Sequence, residues 1–157
     1  FGCASGFTLA TVFAARQVSV QTEFFGGWAI ILTVTVLITR VMSLVRNERI
    51  RPKSTIQTAI GIRHAHITQK AQGAMTGSFN THEYFHGASK RKYKNVKWAF
   101  LILVFPVPLF LVLAGLATNL WGLYLAAFLV QFAGLFMERW FFFAQANHPQ
   151  NLYYQTV

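Results

Sequence analysis

The chain has 157 residues, 54% of them hydrophobic and only 11% charged, with a formal net charge of +10. A soluble domain carries about 25% charged residues, so this composition excludes an ordinary soluble enzyme and points to a membrane protein. The basic excess does not require nucleic acid as a partner, because it lies beside apolar runs of spanning length, where the cytoplasmic preference of Lys and Arg accounts for it.

Cys3 is the single cysteine, so the chain has no internal disulfide and no cysteine cage for zinc or an iron–sulfur cluster. Any such cluster belongs to a partner. Residue 1 is a phenylalanine inside an apolar run with no basic leader, which does not read as a signal peptide. It reads as a chain whose N-terminal portion lies elsewhere.

In chain order, Phe1 to Ala15 is apolar but falls short of the ~20 residues a span needs. It is expected to be the end of a transmembrane helix stopped near Arg16 and Gln17, with a connector from Val18 to Glu23. Phe24 to Val45 reads as a full span, with Arg40 near its end and able to snorkel toward the following loop. Residues 1–45 thus hold one partial and one full helix. Residues 46–97 form a polar loop holding eleven Lys and Arg against Glu48 and Glu83, a formal +9, and four of the five histidines.

Residues 98–143 read as a helical hairpin. Trp98 to Ala117 is its first arm, with a kink expected at Pro106 and Pro108. Thr118-Asn119 is a tight turn, and Leu120 to Phe143 returns antiparallel, closing on an aromatic belt at Trp140 to Phe143. Residues 144–157 form a polar, aromatic tail with a turn at Asn147-His148-Pro149. The expected fold is an all-α integral membrane protein: three full transmembrane helices, one partial N-terminal helix and a long basic cytoplasmic loop. The charge asymmetry puts loop and tail in the cytoplasm and the Thr118-Asn119 turn outside.

The loop does not have the composition of a disordered linker, which lacks aromatics, because it contains Phe79, Tyr84, Phe85 and Tyr93. Asn80 to Glu83 has the spacing of a helix N-cap with an acid at the third helical position. Lys90 to Lys94 abuts the next span and suits anionic lipid headgroups.

Three groups of residues could carry chemistry. His82-Glu83-Tyr84-Phe85-His86 fits H-E-x-x-H, which on a helix sets His82 and His86 on one face as zinc ligands with Glu83 as general base. That would make a membrane zinc metalloprotease, although no second zinc signature follows. Set against it is a reading of two interface histidines on a short capped helix. His64 and His66 flank Ala65 after Arg63, a spacing that shares a face only on a strand. Glu138-Arg139 lies within a turn of the last span's aromatic end, where charges are costly and mark either an interfacial anchor or proton chemistry. No Gly-rich phosphate loop and no Ser/His/Asp arrangement is present.

Gln57-Thr-Ala-Ile-Gly-Ile-Arg-His64, then Gly77-Ser-Phe-Asn-Thr-His-Glu-Tyr-Phe-His-Gly87, and the segment from Glu138 to Gln155 together resemble the membrane-anchor subunit of the dimethyl sulfoxide reductase family, including the anchors of sulfite:quinone oxidoreductases. The resemblance implies an eight-helix anchor of which this chain is the C-terminal half. It implies a non-catalytic subunit that binds lipid, exchanges electrons with quinone (menaquinone or ubiquinone) and carries no metal or cluster. An iron–sulfur subunit would dock on it and join it to a molybdopterin catalytic subunit in a bacterial inner membrane, for sulfite oxidation or sulfoxide reduction. On this reading Arg63, His64, Gln72, Phe79, Asn80, Phe85 and His86 are docking residues, and Glu138, Arg139 and His148 are quinone-proximal. In the family the position of His82 is usually basic, which makes the H-E-x-x-H match a coincidence. A membrane adaptor with no redox role is the third reading.

Overall fold

The computed structural model describes residues 1–17, 19–49, 57–58, 61, 63–64 and 90–145. All regular structure among them is helical: α1 (Gly2–Ala14), α2 (Ser19–Arg49), α3 (Lys90–Val104), α4 (Pro106–Thr118) and α5 (Trp121–Gln145). Three spans are long and apolar enough to cross a bilayer, namely α2, α3 continued by α4, and α5, with α1 as a shorter apolar helix. The all-α membrane architecture expected from hydropathy is the one found. With every backbone donor and acceptor satisfied inside its own segment, helices are the economical way to place such a chain in lipid.

The helices run further than the hydropathy windows suggest. Ser19 to Glu23, expected as connector, is the first turn of α2. The basic run from Lys90 is likewise helical, as the start of α3. At ~1.5 Å per residue the 31 residues of α2 extend well beyond a hydrocarbon core of ~30 Å. Its basic end, with Arg46 and Arg49 exposed, therefore projects past the apolar layer.

The expected kink falls at Phe105, where α3 stops and α4 starts with Pro106 in its first turn. Neither Pro106 nor Pro108 has an N–H to donate, and each ring crowds the preceding turn, so the ladder breaks there. The Leu109 N–H resumes it by donating to the Phe105 carbonyl at 3.1 Å. At the far end of α4, Asn119 takes the left-handed conformation, with φ 55° and ψ 25°. Its N–H donates to the Gly115 carbonyl at 2.8 Å, a C-cap for which Asn is one of the few suitable residues. The chain then reverses directly into α5.

α1 and α4 each pack against both α2 and α5. They wall the interior in which α2 and α5 face one another. Trp121 ties the turn end together: its indole N–H donates to the Val12 carbonyl at 3.1 Å, and the Arg16 guanidinium lies over its ring at 4.0 Å. At the basic end α3 packs on α5, and Leu44, Phe100 and Phe141 form a buried cluster. Lys97 of α3 pairs with Glu48 of α2 beyond it.

Two glycines set how closely these helices approach. A Cβ at Gly134 would sit 2.8 Å from Val104 Cγ2, 2.9 Å from Leu103 Cβ and 3.1 Å from the Leu103 carbonyl carbon. One at Gly115 would meet the Tyr124 ring at 2.7 Å. Small residues at such contacts let membrane helices gain dispersion energy where no hydrophobic driving force exists between helix and lipid. Gly134→Val should therefore force α3 off α5 and cost roughly 1–3 kcal/mol, read as a lower unfolding temperature in detergent. Gly122→Val, with nothing within 4 Å, should shift it little, and equal losses from both would refute the close-approach argument.

Candidate functional site

The interior between α2 and α5 is polar. Tyr124, Gln131 and Glu138 recur every seven residues on α5, and Thr33 and Arg40 do so on α2. A seven-residue step is close to two helical turns, so each set lines one face. All five residues are buried, with Tyr124 at 1% exposure, Gln131 at 2%, Thr33 at 3%, Glu138 at 4% and Arg40 at 7%. Tyr124 packs among Val12, Val112 and Ala127, whereas the other four meet in two pairs across the interior.

Two cross-links join the helices. Arg40 Nη2 lies 2.7 Å from Glu138 Oε1, with both side chains at least nine-tenths enclosed. The contact is one of charge more than of aligned hydrogen bonding, since neither the Nη2 nor the Nε donors of Arg40 are directed at an acceptor. Nearer the turn end, the Gln131 amide N–H donates to Thr33 Oγ1 at 3.5 Å. The Thr33 hydroxyl gives its own proton to the Ala29 carbonyl at 2.7 Å, so toward Gln131 it can only accept. Gln131 Oε1 is thereby left without a donor.

Arg40 thus behaves differently from the snorkelling cation expected of it. It turns inward, its guanidinium 5.6 Å from the centre of the Phe100 ring, about 12 Å along α2 from Glu48 at the helical rise of ~1.5 Å per residue. The reason is its partner: a buried carboxylate at short range offsets part of the desolvation that would otherwise drive the side chain to the interface. Glu138 likewise pairs across the bundle and not with its neighbour Arg139, which is exposed and lies 6.0 Å from the Phe142 ring centre. Residues next to each other on a helix point about 100° apart, so the adjacent charges cannot both face the interior.

Beyond the ion pair lie aromatic rings. Phe100 and Phe141 are fully buried with Leu44 beside them, and Tyr93 stacks on Phe141 with centroids 4.7 Å apart. The Arg40 donors are of a kind a quinone carbonyl would accept, and they are enclosed with Glu138 by the surrounding side chains. Of the docking residues read from the sequence, Arg63 and His64 are described, and both are exposed. The Gln57 amide N–H donates to the His64 carbonyl at 3.5 Å around Gly61 at φ 72°. Gln72, Phe79, Asn80, Phe85, His86, His148 and the zinc candidates His82 and His86 with Glu83 lie outside the described residues. Among the described residues no three His, Cys, Asp or Glu side chains gather as a metal site. The seven-residue recurrence of polar residues in two apolar spans was the signal in the sequence that could have revealed the two pairs.

The chain is similar to a sulfite dehydrogenase subunit of Allochromatium vinosum, at 51% identity over 156 residues. The match covers 99% of this chain and 48% of that protein, so the chain spans about half the length of the curated relative it matches. No protein-family model matches the chain, and no solved structure does.

Removing one charge of the pair strands the other inside the bundle, a loss of about 3–5 kcal/mol. Arg40→Met and Glu138→Met should each lower stability by that order in a denaturant titration of the detergent-solubilised protein. The double variant should recover most of the loss, because two apolar residues of similar volume replace two charges. Additive losses would show that the pair is not coupled.

Proposed function

We propose that this chain is part of the non-catalytic membrane anchor of a sulfite-oxidising complex. The observation that carries this reading is the 51% identity to a sulfite dehydrogenase subunit along 99% of the chain. It is supported by the three spans, the first two of them joined through one long basic segment. The relative's name implies companion subunits, and the sulfite direction is the one its name favours over sulfoxide reduction.

In this reading the helices hold the complex in a bacterial inner membrane and bring it to the quinone pool. The loop between α2 and α3, cytoplasmic by its charge, docks an iron–sulfur subunit that passes electrons from a molybdopterin catalytic subunit. Arg63, His64, Gln72, Phe79, Asn80, Phe85 and His86 supply the contact, since aromatic and Arg side chains carry a large share of interface affinity. The exposed Arg46, Arg49, Arg91, Lys92 and Lys94 at the adjoining helix ends extend that basic face toward an acidic partner or anionic headgroups. Quinone contact is assigned to the anchor as a whole, with Glu138, Arg139 and His148 as the quinone-proximal candidates of this chain.

Purification from native membranes in mild detergent should bring two larger subunits with it, one rich in iron and one holding molybdenum, and the preparation should reduce quinone with sulfite. Stoichiometric zinc on a chain that purifies alone would replace this reading with the metalloprotease of His82, Glu83 and His86. Within the anchor reading, Phe85→Ala combined with His86→Ala should release the iron–sulfur subunit from washed membranes, as seen by immunoblot of the two fractions. Retention at wild-type levels would remove these two residues from the docking surface.

A further inference from the structure

At the basic end, α2 is tied to its neighbours by side chains that reach across to them. Arg40, Leu44 and Glu48 follow at four-residue steps on α2, so they share one face. Arg40 pairs with Glu138 of α5, Leu44 packs with Phe100 of α3 and Phe141 of α5, and Glu48 pairs with Lys97 of α3. The backbone of α3 comes close to α5 at Gly134, whereas its ties to α2 are these side chains. A groove therefore runs between α2 and α3 on the side turned away from α5, with the Lys97–Glu48 pair at its floor.

Helix rotation gives the residues that line it, since each next residue is turned by about 100°. Val41, Val45 and Arg49 each follow a member of the inward set on α2, and all three are exposed. On α3 the matching strip runs beside Lys97. Exposed Lys94 lies one turn toward the helix start, half-buried Leu101 one turn deeper, and Trp98 stands at the lip, 63% exposed. Glu48 meets Lys97 while Leu44 meets Phe100, so the helices are antiparallel and the two strips correspond in depth. Val41, Val45 and Leu101 are deepest, Trp98 comes next, and Arg49 and Lys94 are outermost.

We propose that this groove binds one anionic glycerophospholipid of the leaflet at the basic end. Its phosphate lies between Arg49 and Lys94, its glycerol region beside Trp98, and an acyl chain along Val41, Val45 and Leu101. The order apolar, aromatic, cationic follows the depth profile of such a lipid, since Trp favours the membrane interface and basic side chains reach anionic headgroups. Glu48, the acid nearest the phosphate, is already paired with Lys97, which offsets the charge that would repel an anion. A soluble acidic protein could meet the two cations but not the apolar residues beneath them, which lie within the span. The bound lipid would bridge α2 and α3 where their backbones stand apart.

The site does not depend on the sulfite reading, and its test needs no turnover. The full-length protein in its purified complex, stripped of native lipid in mild detergent, is titrated with phosphatidylglycerol and followed by native mass spectrometry. One phosphatidylglycerol should be retained about tenfold more tightly than phosphatidylcholine with the same acyl chains, and free glycerol phosphate should not displace it. Arg49→Gln combined with Lys94→Gln should abolish that preference. Arg46→Gln combined with Arg91→Gln removes the same charge outside the groove, because Arg46 is turned about 200° from Leu44 and Arg91 lies a further turn out from Lys94. This control pair should change retention less than twofold. Equal retention of the two lipids by the wild type would overturn the proposal, and that result stands even if a variant fails to fold. Displacement by glycerol phosphate would reduce the site to a phosphate contact and overturn it too. So would equal losses from the two variant pairs, or release of a companion subunit by Arg49→Gln with Lys94→Gln while the lipid stays bound.

Discussion

Placing an arginine and a glutamate inside an apolar bundle imposes a condition that the rest of this structure meets. Each charge alone would cost several kcal/mol to withdraw from water, and the two can share a site only if their helices are held at a fixed separation and rotation. Arg40 and Glu138 achieve contact because α2 and α5 face each other across an interior walled by α1 and α4. The close glycine contact of α5 on α3, the left-handed Asn119 cap that turns α4 straight into α5, and the Trp121 bond to α1 all serve to keep that geometry. The bundle is thus specified partly by an electrostatic register and partly by close backbone approach, in a solvent where burial of apolar surface gives no preference for one helix pairing over another.

The interior is divided along its length. At the turn end Tyr124 packs among Val12, Val112 and Ala127; toward the basic end come the Thr33–Gln131 contact and the Arg40–Glu138 pair, then the buried cluster of Leu44, Phe100 and Phe141, and past it the cationic helix ends. In the anchor proposed above, such a division has physical sense. A basic face would steer and orient the proposed partner, and the buried rings of Phe100 and Phe141 separate that face from the ion pair.

Much of this protein is legible in the residues alone. Hydropathy and length give the spans, the pair Pro106 and Pro108 gives the break, and Thr118-Asn119 gives the reversal, because each depends on local chemistry: helix hydrogen bonding in lipid, a missing N–H, and a residue tolerant of positive φ. The span ends read from hydropathy fall short at Ser19 and Lys90, where polar residues continue a helix once it leaves the hydrocarbon. Hydropathy has no signal for that continuation, since it measures transfer into lipid and not helix propagation.

The role of the charged residues inside the spans was decided only by the fold. In sequence, Arg40 stands within reach of the basic loop, and Glu138 stands at the aromatic end of the last span, so local reasoning sends both toward the interface. Which face of α2 and of α5 turns inward depends on how four helices pack together, and the partners are 98 positions apart in the chain. Residue chemistry alone was enough to specify a basic, multi-span helical membrane protein and its resemblance to a redox anchor. That its buried charges meet each other came from the packing, because pairing across the bundle requires a rotation of each helix that no local pattern encodes.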